Sequence, residues 1–126
     1  MDVPAKLSGL RVLVLEDEAL LSMLIEDVLA EFGCITIGPF GDCAAALAFL
    51  ATEPHGVDVG ILDVNVSGQK SDAVAEALDR LGRPFVFSTG YDETALHPDW
   101  RARPCLKKPF RAVDLERVLL GILSPK

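Results

Sequence analysis

Four short stretches of the sequence carry side chains suited to concerted chemistry: Glu16-Asp17-Glu18, Asp63, Ser88-Thr89-Gly90 and Lys107-Lys108-Pro109. Each lies at the end of a short apolar run. At 4 Å and an effective dielectric of 20, two like charges repel by about 4 kcal/mol, so clustered carboxylates raise one another's pKa unless a cation compensates. One lysine is too little for three acids. An oxygen-only donor set suits Mg²⁺ or Mn²⁺, and Mg²⁺ takes few protein oxygens and keeps waters. No zinc site competes, because His55 and His97 are isolated. Beside such a cation an Asp can attack phosphorus and form an aspartyl-phosphate. The Thr89 hydroxyl and Lys108 ammonium are suitable donors to the remaining phosphoryl oxygens.

The elements that must position these groups follow from apolar patterning. Arg11-Val12-Leu13-Val14-Leu15 is a continuous run of the kind found in strands buried on both faces. Leu20, Leu21, Leu24, Ile25, Val28, Leu29 and Phe32 then recur at helical spacing, with Gly33 as the stop. Residues 34–37 read as a second strand, and Asp42 as the N-cap of an Ala-rich helix ending near Ala51. Residues 57–62 read as a third strand, and Ser71 opens a helix with Val74, Ala77, Leu78 and Leu81 on one face. A fourth strand spans 85–88. Asp92 caps a short helix ended by Pro98, a fifth strand spans 104–106, and the last helix runs from about Ala112 to Leu123.

Strands alternating with about five helices predict an α/β fold: a doubly wound, five-stranded parallel sheet, flavodoxin-like, with strand order 2-1-3-4-5 and helices on both faces. Ligands bind such sheets outside the carboxyl ends of the strands, where the winding reverses. That is where the acids, the hydroxyl and the lysine converge. Singly, the acids at 16–18 fit a helix N-terminus favoured by its dipole, and Asp63 and Thr89-Gly90 fit turn chemistry. Their shared placement at strand ends is the stronger signal. Gly68-Gln69-Lys70-Ser71 lacks the earlier glycine of a phosphate loop and reads as a loop into the third helix. Lys107 reads as a surface lysine.

On these residues the chain resembles the receiver domain of a two-component response regulator over nearly its whole length. The resemblance implies Asp63 as phosphoacceptor, and Glu16, Asp17, Asp63 and the backbone carbonyl of Asn65 as ligands of Mg²⁺ or Mn²⁺. Thr89 and Lys108 become the phosphate-sensing switch. Phe87-Ser88-Thr89-Gly90-Tyr91 is similar to a Phe-x-Thr-Gly-Tyr receiver subgroup known in alphaproteobacteria. The chain departs from the common pattern twice: Cys105 stands where an aromatic switch residue is usual, and Val66-Ser67 replaces Met-Pro. Tyr91, Trp100 and Cys105 are assigned to a signalling surface, with Tyr91 as the candidate replacement ring. Trp100 also has a reading as packing after the short helix.

The implied function is a stand-alone receiver over 1–126, with a core of about 9–124. It is phosphorylated by a histidine kinase or histidine phosphotransfer protein, and it switches an unknown downstream protein through the face of helix 4, strand 5 and helix 5. A phosphorylation-linked homodimer is compatible with this reading. No enzyme activity is expected beyond self-phosphorylation and self-dephosphorylation. The length of 126 residues leaves no room for an output domain. Twelve Lys plus Arg against 19 Asp plus Glu give a net charge of −7, which argues against direct nucleic-acid or membrane partners. Without a signal-peptide pattern, a cytoplasmic location is expected. Cys34, Cys43 and Cys105 have no CxxC spacing and are expected to remain reduced. Two rivals belong to other classes: a phosphorylation-independent interaction module, and a small Mg²⁺-dependent aspartyl-phosphate phosphohydrolase. Asn65 argues against the second, because such enzymes place another Asp two residues after the nucleophile.

Overall fold

Val12, Leu13, Val14 and Leu15 are each at most 1 % exposed, because β1 (Arg11–Leu15) lies inside a sheet covered on both faces. The computed structural model of the chain describes residues 7–90, 98–100 and 103–123. The chain continues through α1 (Ala19–Glu31), β2 (Ile35–Phe40), α2 (Cys43–Thr52), β3 (Val59–Asp63), α3 (Asp72–Arg80), β4 (Phe85–Thr89), β5 (Cys105–Lys107) and α4 (Ala112–Leu123). The five strands are parallel neighbours in the order β2-β1-β3-β4-β5, the doubly wound order expected. Four α-helices lie among the described residues. The short helix expected from Asp92 falls outside them; Pro98, expected to end it, opens a 3₁₀ turn, Pro98–Trp100.

The period-two alternation of strand side chains divides the interior into two layers. Leu13, Leu15, Leu62, Phe85 and Phe87 pack with Ala46 and Leu50 of α2 and Val74 and Leu78 of α3. Val12, Val14, Val59, Ile61 and Val86 pack with Ile25 and Leu29 of α1 and Leu115 and Leu119 of α4. Gly33, at φ +78°, ends α1: its N–H bonds the Ala30 carbonyl and the Cys34 N–H bonds Leu29, the Schellman arrangement that favours glycine. Asp42 caps α2 through a 2.8 Å bond from the Ala45 N–H. No helix among the described residues is long and apolar enough to cross a membrane.

Two expectations change. The second strand does not stop at Ile37 but continues through Gly38-Pro39 to Phe40. The pairing skips between Leu13 opposite Ile37 and Leu15 opposite Phe40, so a bulge on an edge strand absorbs the break that Gly-Pro signals. Trp100 belongs to the interior rather than a signalling surface. It is 7 % exposed, with its ring 5.5 Å from Phe85 and 6.4 Å from Phe87. Burial of a large ring beside two others outweighs its exposure to a partner.

At the opposite end of the sheet, Asp58 clamps β1 to the start of β3. Its carboxylate accepts the Arg11 N–H at 2.8 Å, Nε at 3.1 Å and Nη2 at 2.9 Å. The Arg11 side chain, aided by its backbone N–H, holds the Asp58 carboxyl below the usual range against partial burial. A carboxyl with a lowered folded pKa stabilises above its unfolded pKa and loses that contribution as pH falls. Asp58→Asn is expected to cost roughly 1 kcal/mol at pH 7, discounted for solvent screening. In urea melts across pH, the gap from wild type should close below about pH 4; a pH-independent gap would refute this account.

Candidate functional site

Register determines where the acids meet. Leu15 of β1 lies opposite Leu62 of β3, so Glu16, just past β1, and Asp63, the last residue of β3, stand side by side at the carboxyl end of the sheet. Asp17 follows on the loop into α1. One carboxylate oxygen from each of Glu16, Asp17 and Asp63 lies within 4.8 Å of the others. Burial differs among them: Glu16 is 4 % exposed, Asp63 intermediate and Asp17 exposed.

Lys108 crosses over this group from the end of β5. Its Nζ is 3.1 Å from Glu16 Oε1 and 3.3 Å from Asp63 Oδ2. Its own N–H donates to the Thr89 carbonyl at 2.8 Å, which ties the lysine backbone to the end of β4. Partial burial opposes the ammonium charge, but contact with Glu16 and Asp63 outweighs it and raises the Lys108 pKa. Glu16 is also raised: burial is the main cause and Asp63 adds to it, against the Glu18 N–H and Lys108. Glu16 Oε2 accepts the Glu18 N–H at 3.0 Å where α1 begins. Oε1 is buried without a hydrogen bond of good geometry among the described residues, its charge met only by Lys108.

A cavity of about 430 Å³ opens over the site, lined by Asp63, Asn65, Lys70, Thr89 and Lys108 among others. The expected Glu16, Asp17, Asp63, Thr89 and Lys108 are therefore gathered at one sheet edge, with Asn65 on the cavity wall. Thr89 is 3 % exposed. Tyr91 lies outside the described residues. Cys105 is half-buried on β5, opposite Phe87. The donor set fits a hard divalent cation: three carboxylates, one with a buried oxygen lacking a hydrogen-bond donor. Glu16, Asp17 and Asp63 would hold it.

Gly68-Gln69-Lys70-Ser71 reads as a loop into the third helix, yet Gln69–Lys70 pairs with Asn65–Val66 as an antiparallel ribbon. Ser67 (φ +51°) and Gly68 (φ +80°) form its left-handed turn. The ribbon brings two further residues to the site, Lys70 on the cavity wall and Ser67, whose N–H donates to Asp17 Oδ2 at 2.9 Å. A Ser-Gly pair between Val66 and Gln69 is the hairpin signal that could have found them.

No protein-family model matches the chain. The transcriptional regulatory protein PdtaR of Mycobacterium tuberculosis is 34% identical over 109 residues, covering 83% of this chain and 52% of PdtaR. The chain thus spans about half the length of the curated relatives it matches. The solution structure of SdrG from Sphingomonas melonis Fr1 superposes with a TM-score of 0.79 at 38% identity, over 94% of this chain and 98% of SdrG. The REC domain of the Erythrobacter litoralis PhyR response regulator gives a TM-score of 0.76 at 27% identity, over 97% of this chain and 98% of that domain.

The raised Glu16 pKa has a measurable cost. A carboxyl whose folded pKa is raised costs no stability below its unfolded pKa, and its cost grows as pH rises through the folded value. In metal-free buffer at pH 7, Glu16→Gln is expected to raise Tm by a few degrees, roughly 1 kcal/mol. The gain should vanish below about pH 4, where Glu16 is protonated in both states. Calorimetry of both proteins at pH 4 and 7 checks this, and a lower Tm for Glu16→Gln at pH 7 would contradict it.

Proposed function

The chain belongs to the receiver domains of response regulators, and from that premise we propose that it accepts a phosphoryl group on Asp63 and relays it as a change in partner binding. The observation that carries this reading is the Asp63 carboxylate, flanked by Glu16 and Asp17 and paired with Lys108 at the floor of the cavity. A bound Mg²⁺ or Mn²⁺ supplies the positive charge that lets an anionic phosphoryl donor approach three carboxylates. Glu16, Asp17 and Asp63 would hold that cation, with the Asn65 carbonyl as a further ligand. An Asp63 oxygen attacks phosphorus, a P–O bond forms, and the bond to the leaving imidazole of a phosphohistidine breaks. The electron pair of the broken P–N bond leaves with the imidazole nitrogen, which takes up a proton, while the phosphoryl group keeps its charge and the Asp63 carboxylate charge is lost.

Lys108 is already 3.3 Å from Asp63, so it needs little movement to pair with a phosphoryl oxygen. The Thr89 hydroxyl serves another oxygen. Because the Lys108 N–H bonds the Thr89 carbonyl, the two respond as a unit. The acyl phosphate carries about −1.5 to −2 charge at pH 7 where the carboxylate carried −1, and the added charge biases the ends of β4 and β5 and the face that β5 forms with α4. The chain acts as a signalling domain, without turnover of an external substrate.

The donor's docking place adjoins the pocket. Leu20, Met23 and Leu24 of α1 are 76, 63 and 50 % exposed, and with Lys108 and Pro109 they line a groove of about 650 Å³. Glu18 and Lys108 border both this groove and the acid cavity. An apolar helix face of a kinase or phosphotransfer protein seated here would present its histidine at the cavity mouth.

Incubation with acetyl phosphate and Mg²⁺, followed by intact-mass analysis, should add one phosphoryl group to wild type and none to Asp63→Asn or to Mg²⁺-free wild type. No gain in wild type would defeat the proposal. Met23→Glu should slow transfer from a phosphorylated histidine donor by about tenfold or more, the scale of losing a buried apolar anchor. Its rate with acetyl phosphate should stay at the wild-type level, and equal slowing with both donors would remove α1 as the docking face.

A further inference from the structure

Ser67 is the one non-glycine residue with positive φ among the described residues, and it stitches three loops together. Its N–H donates to Asp17 Oδ2 at 2.9 Å, on the loop after β1. Its hydroxyl donates to the Gly41 carbonyl at 2.8 Å, on the loop after β2. Ser67 itself sits at the tip of the ribbon that follows β3. The base of that ribbon is closed by Ser71, whose N–H and hydroxyl both reach the Val64 carbonyl, at 3.0 and 3.3 Å.

We propose that Ser67 is a positioning residue for the divalent cation: its N–H fixes the Asp17 carboxylate, and its hydroxyl, anchored on Gly41, keeps that N–H in place. This rests on the reading of Glu16, Asp17 and Asp63 as the cation site. Asp17 is exposed and lies on a loop, so without a partner its carboxylate samples several rotamers and must lose that freedom on binding. A donor on one carboxylate oxygen removes that cost in advance and leaves the other oxygen for the cation. Outer-sphere hydrogen bonds to ligating carboxylates act in this way, and their loss typically costs 10–100-fold in metal affinity. Ser67 contributes through a main-chain N–H, so its side chain acts at one remove. The hydroxyl sets where the turn sits, and the turn sets the N–H.

The test separates anchoring from folding. Glycine tolerates φ +51°, so Ser67→Gly removes the hydroxyl without straining the turn. Titration with Mg²⁺, followed by the amide resonances of residues 16–18 and 67, should show a Kd about tenfold above wild type for Ser67→Gly. Its metal-free Tm should stay within about 2 °C, and its acetyl phosphate reaction at saturating Mg²⁺ should match wild type. Ser67→Asn, which also tolerates this backbone and keeps a side-chain donor, should recover part of the affinity. A wild-type Kd in Ser67→Gly, with Asp17→Asn strongly impaired, would overturn the role of Ser67 alone. Unimpaired Mg²⁺ binding by Asp17→Asn would instead overturn the cation site itself.

Discussion

The side-by-side exit of Glu16 and Asp63 from neighbouring parallel strands is the constraint on which the rest of the structure depends. It follows from the β1–β3 register, with Leu15 opposite Leu62. The apolar layers above and below the sheet fix that register, because a slip of one residue would turn Val12 and Val14 out of one layer and Leu13 and Leu15 out of the other. The packing that stabilises the sheet therefore also forces two carboxylates together. Lys108 is the local compensation, and it is incomplete: burial still raises the Glu16 pKa despite the ammonium at 3.1 Å. The remaining electrostatic cost is borne by the core.

The loops around the acids are joined to one another by hydrogen bonds. The Phe40 carbonyl at the end of β2 accepts the Glu16 N–H at 2.9 Å, which the bulge at Gly38-Pro39 makes reachable. The ribbon after β3 is tied to the loops after β1 and β2 through Ser67, and to α2 by a weak contact from the Cys43 thiol to the Lys70 carbonyl at 3.7 Å. Three consecutive β–α loops thus share one set of hydrogen bonds. Preorganisation of this kind keeps like-charged ligands in place when no counter-charge is bound.

Much of this was legible in the sequence because it rests on local signals. The run Val12 to Leu15 reads as a doubly buried strand, Gly33 stops α1 through its left-handed φ, and Asp42 caps α2 as its side chain suggests. Glu16, Asp17, Asp63, Thr89 and Lys108 were legible as strand-end residues once the strand order was inferred. What escaped depends on non-local pairing. Gly38-Pro39 reads as a stop, and only pairing with β1 shows that the strand resumes. Gly68-Gln69-Lys70 reads as loop until Asn65 is seen opposite Lys70. The two readings of Trp100 were separable only by its neighbours, since nothing within residues 98–103 says that Phe85 and Phe87 lie beneath it.

Those neighbours also limit how a signal could leave the site. Cys105 has no ring to swing, and the register places it against Phe87, two residues before Thr89. Phe87 and Phe85 meet edge to face with centroids 5.6 Å apart, and Trp100 rests on both. Arg103 stacks over Phe85 and Trp100 at 4.9 and 5.4 Å and pairs with Asp79 of α3 at 2.7 Å. Rotating Trp100 would break this packing at a cost of several kcal/mol, the scale of removing a buried aromatic. Shifting the ends of β4 and β5 together costs less, because the Lys108–Thr89 backbone bond moves with them. In the proposed switch, the responding element is therefore the paired end of two strands rather than one aromatic side chain.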